Sequence, residues 1–281
     1  QEVTVEYNET AEVAFENIEK TGEIKVTKST VGNLNIKGIT FNLRGTSDSG
    51  RDIDIPATTD DNGVAIFSEI PIGTYTIYED EKTVPTAYLV ADPQNVTVTY
   101  AETKEVPIEN KEKTGSITVH KTTEGQKNIE GIKFYLRGTS DSGRAIDIPA
   151  TTDKDGIAKF DGVPIGTYMV IEDKETVPYG YLVADEKEVK VEYAQTIDET
   201  ILNNEQTGTV KVHKKTADMT NVEGIRFILS GISDTGREIR IEATTDKDGL
   251  AKFEGVPVGT YTITEDGSTV PYGYLVADSK Q

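Results

Sequence analysis

The sequence predicts an all-β protein, built as a β-sandwich with Greek-key connections that is repeated in tandem to form a rod. Apolar residues recur at every second position in short runs, and Ile117, Val119 and Lys121 share one parity of such a run. Turn sequences such as S-D-S-G, D-K-D-G and P-x-G separate the runs. The same pattern returns at a constant spacing along the chain, which is typical of tandem domains.

The repeat length sets the number of domains. Gly-x-[IV]-x-Val-x-Lys ends at Lys28, Lys121 and Lys214, each 93 residues after the last, and G-T-Y and T-T-D-x-[ND]-G recur at the same spacing. A length of 281 residues would by itself suggest two domains. The repeats instead predict complete units at residues 21–113 and 114–206 and a third unit at 207–281. A unit of this size buries a little over ~60% of its unfolded surface, enough for one modest core.

Each unit is expected to contain about seven antiparallel strands. In the second unit these include the alternating pairs Phe134/Leu136, Tyr168/Val170 and Val189/Val191, and no segment has helical periodicity. Residues 1–20 repeat the sequence of the last two strands, and the third unit stops before its own copy of those strands. We therefore expect residues 1–20 to be the last two strands of a preceding or neighbouring repeat.

Composition excludes several classes of function. The chain has 49 acidic and 29 basic residues, and this negative charge disfavours nucleic-acid binding and docking on an anionic membrane. It has no Cys and only two His, so thiol chemistry is excluded and a His-based metal site or catalytic triad is disfavoured. No apolar run approaches the ~18 residues of a membrane span. We expect no cofactor, no metal, no nucleic-acid partner and no membrane contact.

Three polar residues in each unit fall on the core-facing parity of their strands. Strand alternation places Lys28 with Ile24 and Val26, and it likewise directs Glu79 and Asn110 inward. The same positions recur in the other units as Lys121, Glu172 and Asn203, then Lys214 and Glu265, with Asn17 alone at the start of the chain. Three polar groups in a small core are costly unless they satisfy one another.

Burial of these groups indicates a self-directed reaction. Desolvation lowers the pKa of a Lys and raises that of a Glu, so both can be neutral together. The neutral amine can attack the Asn side-chain carbonyl carbon while the carboxyl polarises the amide and moves the proton. The products are ammonia and a Lys–Asn isopeptide bond. Because each unit reacts once, this is maturation of the protein and not enzymatic turnover.

The sequence resembles the B-type (Cna-B-like) repeats of collagen-adhesin-like surface proteins and pilins of Gram-positive bacteria. The matching residues are the first-strand Lys, the Glu of Y-x-[IV]-x-E, the last-strand Asn, and the runs D-G-x-A-x-F, P-x-G-x-Y and V-P-Y-G-Y. The resemblance implies inverted immunoglobulin-like sandwiches, Lys–Asn isopeptide bonds with Glu as catalyst, and a stalk on the extracellular cell-wall surface. Thr86-Ala87 in place of Tyr-Gly, and Glu199 where Val106 stands in the first unit, depart from the pattern.

Two functional classes remain open: a structural stalk or filament segment, and an adhesive module that binds host matrix protein or glycan. Nearly interchangeable repeats, without a divergent insertion or a Trp, favour the structural class. The D-K-D-G sequence at Asp153 favours a hairpin turn over a calcium loop. The S-D-S-G-R sequence at Ser140 likewise favours a turn over a ligand-contacting loop.

The displaced ends predict a contact between neighbouring copies. Insertion of residues 3–17 of one chain into the third unit of another is a head-to-tail contact that gives a filament, and Lys214 could then join Asn17 of the neighbour. The alternative is a window of a longer array, in which a segment like 2–17 follows residue 281.

Overall fold

The computed structural model describes residues 2–217, 220 and 222–280. It divides into two compact units: the first runs to Lys113 and adds Asp141–Gly143, and the second contains the remainder. The described residues are almost entirely strands and turns, with two short 3-10 helices at Val31–Asn33 and Gly267–Thr269. The all-β fold class predicted from the alternating sequence is therefore confirmed.

The strands of the first repeat form two sheets. Their orders are β4-β1-β7 and β3-β2-β5-β6, so seven strands make a two-layer sandwich. The bounds are β1 Thr21–Thr30, β2 Thr40–Thr46, β3 Asp52–Thr58, β4 Val64–Pro71, β5 Gly73–Glu79, β6 Gln94–Val98 and β7 Thr103–Asn110.

The second repeat has the same two sheets, in the orders β11-β8-β14 and β10-β9-β12-β13. Its strands are β8 Thr114–Thr123, β9 Lys133–Ser140, β10 Ala145–Thr151, β11 Ile157–Pro164, β12 Gly166–Glu172, β13 Lys187–Val191 and β14 Thr196–Asn203. The third repeat contributes the sheets β15-β18 and β17-β16-β19. Its strands are β15 Thr207–His213, β16 Arg226–Ser233, β17 Glu238–Thr244, β18 Leu250–Pro257 and β19 Gly259–Glu265.

The first and last strands of a repeat are parallel neighbours, which corrects the expectation that all strands are antiparallel. β1 pairs with β7 in parallel, Lys28 opposite Ile108, and β8 pairs with β14 in the same way. The reason is topological: β7 follows β6 of the other sheet and crosses over to lie beside β1, so it is not joined to β1 by a hairpin. Glu199 keeps the register, because it lies opposite Val119 as Val106 lies opposite Val26.

Inward-facing residues of both sheets form one core in each repeat. Ile24 and Val26 of β1 pack with Phe41 of β2 and with Tyr75 of β5, and all four side chains are buried. The Tyr75 hydroxyl donates to the Pro71 carbonyl at 2.7 Å, so its buried polar atom is satisfied. Burial of this kind, at about 1.5–3 kcal/mol for a large side chain, stabilises each sandwich.

Residues 2–20 form no strand in the structure. All of their side chains except that of Glu19 are exposed, including Val5 at 72% and Phe15 at 81%. Within the part of the chain that the structure describes, no strand pairs with this alternating segment, and isolated strands are not stable in water. Among the described residues of the third repeat, β15 has β18 as its one neighbour, whereas β1 and β8 each have two neighbours.

Candidate functional site

The two sheets of the first repeat bring Lys28, Glu79 and Asn110 together in the core. Lys28 lies on β1 and Asn110 ends β7 in one sheet, while Glu79 ends β5 in the other. All three are buried, with 2%, 9% and 1% of their surface exposed. Side-chain alternation along each strand directs them inward, as their parity predicts.

The carboxyl group of Glu79 lies between the amine and the amide. Its Oε1 is 3.6 Å from Lys28 Nζ, and its Oε2 accepts a hydrogen bond from Asn110 Nδ2 at 2.6 Å. The backbone N–H of Ala91 donates to the same Oε2 at 2.7 Å, which fixes the carboxyl group. The other Asn110 Nδ2 hydrogen donates to the Leu89 carbonyl at 2.7 Å. One oxygen of the carboxyl group therefore faces the amine and the other faces the amide nitrogen.

The second repeat reproduces this geometry. Lys121 Nζ lies 3.5 Å from Glu172 Oε1, and Asn203 Nδ2 donates to Glu172 Oε2 at 2.7 Å. Ala184 N–H donates to Oε2 at 2.8 Å, and Asn203 Nδ2 also donates to the Leu182 carbonyl. The same residue types at equivalent positions make these contacts in both repeats, so the sandwich positions the three groups in the same way twice.

The environment favours a neutral lysine. Burial lowers the pKa of Lys28 and of Lys121 because desolvation disfavours the ammonium form, and the nearby Glu carboxylate only partly opposes this. Lys28 Nζ donates to two carbonyls, Ser29 O at 2.9 Å and Ile108 O at 3.3 Å. Two N–H bonds are what a neutral amine can make. Once the third proton is lost, a lone pair remains for attack.

The amide and carboxyl groups are left incompletely satisfied. Asn110 Oδ1, Asn203 Oδ1, Glu79 Oε1 and Glu172 Oε1 are buried and have no hydrogen-bond partner among the described residues. A buried unsatisfied oxygen raises the free energy of the folded state. Among the described residues, the Asn carbonyl is thus held in the core without a donor, and the Glu oxygen nearest the amine accepts no hydrogen bond.

The third repeat contains the Lys–Glu pair, but among the described residues no Asn side-chain amide completes it. Lys214 Nζ lies 2.5 Å from Glu265 Oε1, about one ångström closer than in the other repeats, and 11% of the Lys214 side chain is exposed. Ala277 N–H donates to Glu265 Oε2 at 2.7 Å. Among the described residues, no Asn side chain hydrogen-bonds this pair, and Asn17 is exposed in segment 2–20. An open groove lies beside the pair, lined by Val212, Phe227, Ile263 and Lys280.

Sequence reasoning missed two groups that complete the site. The backbone N–H of the loop residue Ala91 and the carbonyl of Leu89 orient the carboxyl and amide groups, and backbone groups leave no signal in side-chain patterns. Sequence reasoning expected the carboxyl group to hydrogen-bond the Asn carboxamide without specifying the atom, and the structure places the Asn nitrogen against the carboxyl group.

Neither a metal cluster nor a membrane span occurs in the described ranges. Over residues 2–217, 220 and 222–280, His, Asp and Glu side chains form no group of three that could hold an ion. The Asp153 carboxylate of the D-K-D-G turn accepts the N–H groups of Asp155 and Ile157, both at 2.9 Å. Within the same ranges, no helix has the length and apolar character needed to cross a bilayer.

Comparison with known proteins identifies the family. No relative was found among curated protein sequences. Among solved structures, the Bacillus anthracis TIE protein matches with a TM-score of 0.65 and 22% identity over 92% of this chain. This chain spans 47% of the length of that protein, and the likeness shows a shared fold. The major pilin subunit BcpA of Bacillus cereus matches at 16% identity and TM-score 0.42, covering 93% of this chain and 94% of its own.

A streptococcal ancillary pilin matches at 19% identity and TM-score 0.39, covering 92% of this chain and 93% of its own. The sequence also matches the family described as SpaA, prealbumin-like fold domain, over residues 22–112, 115–206 and 208–281. The resemblance to repeats of Gram-positive surface proteins is thereby confirmed. The chain belongs to the SpaA family of prealbumin-like fold domains.

Proposed function

We propose that this chain is a stalk or shaft segment of a Gram-positive surface protein, and that its first and second repeats each form one Lys–Asn isopeptide bond. The observation that carries the proposal is the buried Lys–Glu–Asn cluster, present twice with the same contacts. The family match and the pilins among the similar structures support an extracellular, wall-associated structural role.

The reaction can be written from the positions of the atoms. Lys28 Nζ passes a proton to Glu79 Oε1, which leaves a neutral amine beside a carboxylic acid. The amine attacks the side-chain carbonyl carbon of Asn110 and forms a tetrahedral intermediate. The carboxyl group relays protons between its two oxygens, so that Oε2, 2.6 Å from Nδ2, gives that nitrogen its third hydrogen, and ammonia leaves as the carbonyl re-forms. The second proton that Nζ loses on becoming an amide nitrogen passes to Oε1 and leaves with the ammonia as ammonium, so Glu79 returns to its carboxylate form. One N–C bond forms, one breaks, and no oxidant is required.

Intact mass measurement tests the proposal. The wild-type chain is expected to be lighter than its sequence mass by about 17 Da for each bond, the mass of one ammonia. Glu79→Gln and Glu172→Gln each remove the proton carrier while preserving side-chain volume. Each variant should therefore lack the mass deficit of one bond. Glu81→Gln and Glu175→Gln change exposed residues two and three positions further along and should leave the mass deficit intact. A wild-type mass equal to the sequence mass refutes the bond.

A second proposal concerns the groove of the third repeat: it accepts a strand pair with the sequence of residues 2–17 from another copy of the chain. Val3, Val5, Val13 and Phe15 correspond to Val96, Val98, Val106 and Ile108 of the first repeat, which are at most 6% exposed. In segment 2–20 the same positions are exposed to solvent. Docking would bury this apolar surface and pair the free edge of β15.

Docking also supplies the missing amide. Asn17 corresponds to Asn110, so the docked segment is expected to place it against Glu265, and Lys214 can then form the bond. At the other end of β15, the space beside Gly208 has room for the docked turn. An added Cβ at Gly208 contacts nothing within 4 Å, whereas at Gly22 it lies 2.3 Å from the Thr99 carbonyl of the β6–β7 turn.

Denaturing electrophoresis of the purified chain tests the second proposal. We expect a ladder of covalent multiples that is lost in Lys214→Ala and in Asn17→Ala and retained in Lys215→Ala, which changes an exposed neighbour. A single monomer band from a chain that carries both bonds of the first proposal refutes the contact between copies.

A further inference from the structure

The joint between the second and third repeats is held by backbone hydrogen bonds on both sides. Three residues, Asn204–Gln206, separate β14 from β15. Gln206 N–H donates to the Gly180 carbonyl of the second repeat at 2.7 Å, and its carbonyl accepts from Val258 N–H of the third repeat at 2.9 Å. The joint is therefore a short extended segment paired with both repeats that it connects.

A buried carboxylate lies in this joint. The Glu205 side chain is fully buried, and its two oxygens have different partners in the third repeat. Thr235 Oγ1 donates to Oε1, and the Arg237 guanidinium donates to Oε2. Arg237 also lies 3.6 Å from a carboxylate oxygen of Glu124 in the second repeat, and Glu124 accepts the Glu205 N–H at 3.1 Å. The charges of the joint thus link the second repeat to the third.

The turn that binds Glu205 is organised by its own residues. Gly236 N–H donates to the Ser233 carbonyl at 2.8 Å, with Gly236 at φ +84°, a conformation that glycine adopts without strain. The Ser233 hydroxyl accepts from Arg237 N–H at 3.0 Å and lies 2.6 Å from Thr235 Oγ1. These bonds hold the threonine hydroxyl and the arginine side by side, as a bound carboxylate requires.

The same site recurs in the first repeat. Ser49 donates to Glu19 Oε1, Arg51 donates to Glu19 Oε2 at 3.0 Å, and Ser47 Oγ accepts from Arg51 N–H at 2.9 Å. Hydrogen bonds from Ser49, then from Arg51, hold the pKa of Glu19 below its ordinary value. The Glu19 side chain is 32% exposed, whereas that of Glu205 is fully buried. The turn therefore binds a partly exposed carboxylate as well as a buried one.

The spacing is constant along the chain. The glutamates at 19, 112 and 205 precede the hydroxyl residues Ser49, Ser142 and Thr235 by 30 positions. Ser142 donates a hydrogen bond to Glu112, and both residues belong to the first of the two compact units. The turn and the glutamate that binds to it therefore recur together along the chain.

We propose that the Ser-Asp-Ser-Gly-Arg turn of the first repeat and the Ser-Asp-Thr-Gly-Arg turn of the third repeat are carboxylate-binding sites, with Glu19 and Glu205 as their ligands. The occupied site between the second and third repeats holds this joint in one orientation. A buried carboxylate bound through both oxygens tolerates little rotation, because moving either partner leaves a desolvated charge unpaired. This site lies outside the Lys–Glu–Asn clusters, so its test is independent of the isopeptide bonds.

Distance measurements between spin labels test the joint. The chain has no Cys, so Lys154→Cys and Lys247→Cys, at equivalent exposed turns of the second and third repeats, give a specific label pair. We expect a narrow distance distribution with Glu205 present and a distribution at least about twofold broader in both Glu205→Gln and Arg237→Gln. The first variant removes the buried carboxylate, and the second leaves that carboxylate without its charged partner. Arg240→Gln, which removes an exposed arginine from the same repeat, should leave the distribution narrow.

Amide hydrogen exchange distinguishes a loosened joint from an unfolded repeat. In both joint variants, Gln206 and Val258 N–H groups should exchange at least about tenfold faster, while the Leu229 amide in β16 keeps its protection. An unchanged distance distribution in Glu205→Gln and Arg237→Gln, with Gln206 exchange as in the wild type, overturns the proposal. Loss of protection at Leu229 as well would also overturn it, because the glutamate would then stabilise the repeat and not the joint.

Discussion

Replacing Asn203 by Ala removes the proposed bond of the second repeat while leaving the buried Lys121–Glu172 pair in place. The bond would close a loop between residues 82 positions apart. By the loop-entropy relation used for disulfides, such a closure contributes about 4.5 kcal/mol. The hydrogen bond from Asn203 Nδ2 to the Leu182 carbonyl adds nothing to this difference, because the proposed reaction releases Nδ2 as ammonia in the wild type.

The expected thermal shift follows from this energy. A change of 1 kcal/mol moves the Tm of a 60–100-residue domain by about 4–8 °C, so the loop closure corresponds to roughly 20–35 °C. Differential scanning calorimetry should show the transition of the second repeat moving down by this amount. The transition of the first repeat, which keeps its own cluster, should not move.

The control is the next residue. Asn204→Ala changes an exposed asparagine and leaves the backbone contact from Leu182 N–H to the Asn204 carbonyl unaltered, so its Tm should stay within about 2 °C of the wild type. If Asn203→Ala has lost the mass deficit of one ammonia and its transition still falls by less than about 10 °C, loop closure does not stabilise this repeat. If the mass deficit persists in Asn203→Ala, Asn203 is not the acceptor.

Two further outcomes are expected from single substitutions. Gly115→Ala should destabilise the second repeat by about 1–3 kcal/mol, because the new Cβ lies 2.5 Å from the Glu192 carbonyl, whereas Gly208→Ala meets open space and should change little in urea unfolding of the isolated chain. In Glu79→Gln, which blocks the bond, Lys28 stays buried with a lowered pKa. The folded state then binds fewer protons than the unfolded state from that lowered pKa up to about 10.4, so the unfolding free energy should rise with pH by up to about 1.4 kcal/mol per unit. Urea unfolding across that range measures this slope, and the Lys28→Met/Glu79→Gln double variant should lose it.

Strand parity accounts for what the sequence could predict. Because side chains alternate strictly, the apolar neighbours Ile24 and Val26 place Lys28 in the core, and the structure buries it there. The order of strands within a sheet carries no such signal. The parallel pairing of β1 with β7 depends on a crossover between sheets, and local patterns favour only hairpins.

The carboxylate-binding turn shows a different limit. S-D-S-G-R is a good turn sequence, and as a turn it is explained completely without a ligand. Its partner glutamate lies 30 positions earlier, in a joint whose residues look like a charged linker. The constant spacing of Glu19, Glu112 and Glu205 was the available signal, and it has meaning only once the fold brings the joint beside the turn.

The parallel pairing of first and last strands determines how a repeat responds to tension. In the second repeat the chain enters at Thr114 and leaves at Asn203, at opposite ends of the β8–β14 ladder. Pulling these ends apart therefore strains all of the rungs of the ladder together, in shear, instead of opening them one at a time. With Lys121 joined to Asn203, tension passes from β8 directly to the next repeat, and the chain between them bears none of it. Such a repeat is inextensible until a covalent bond breaks.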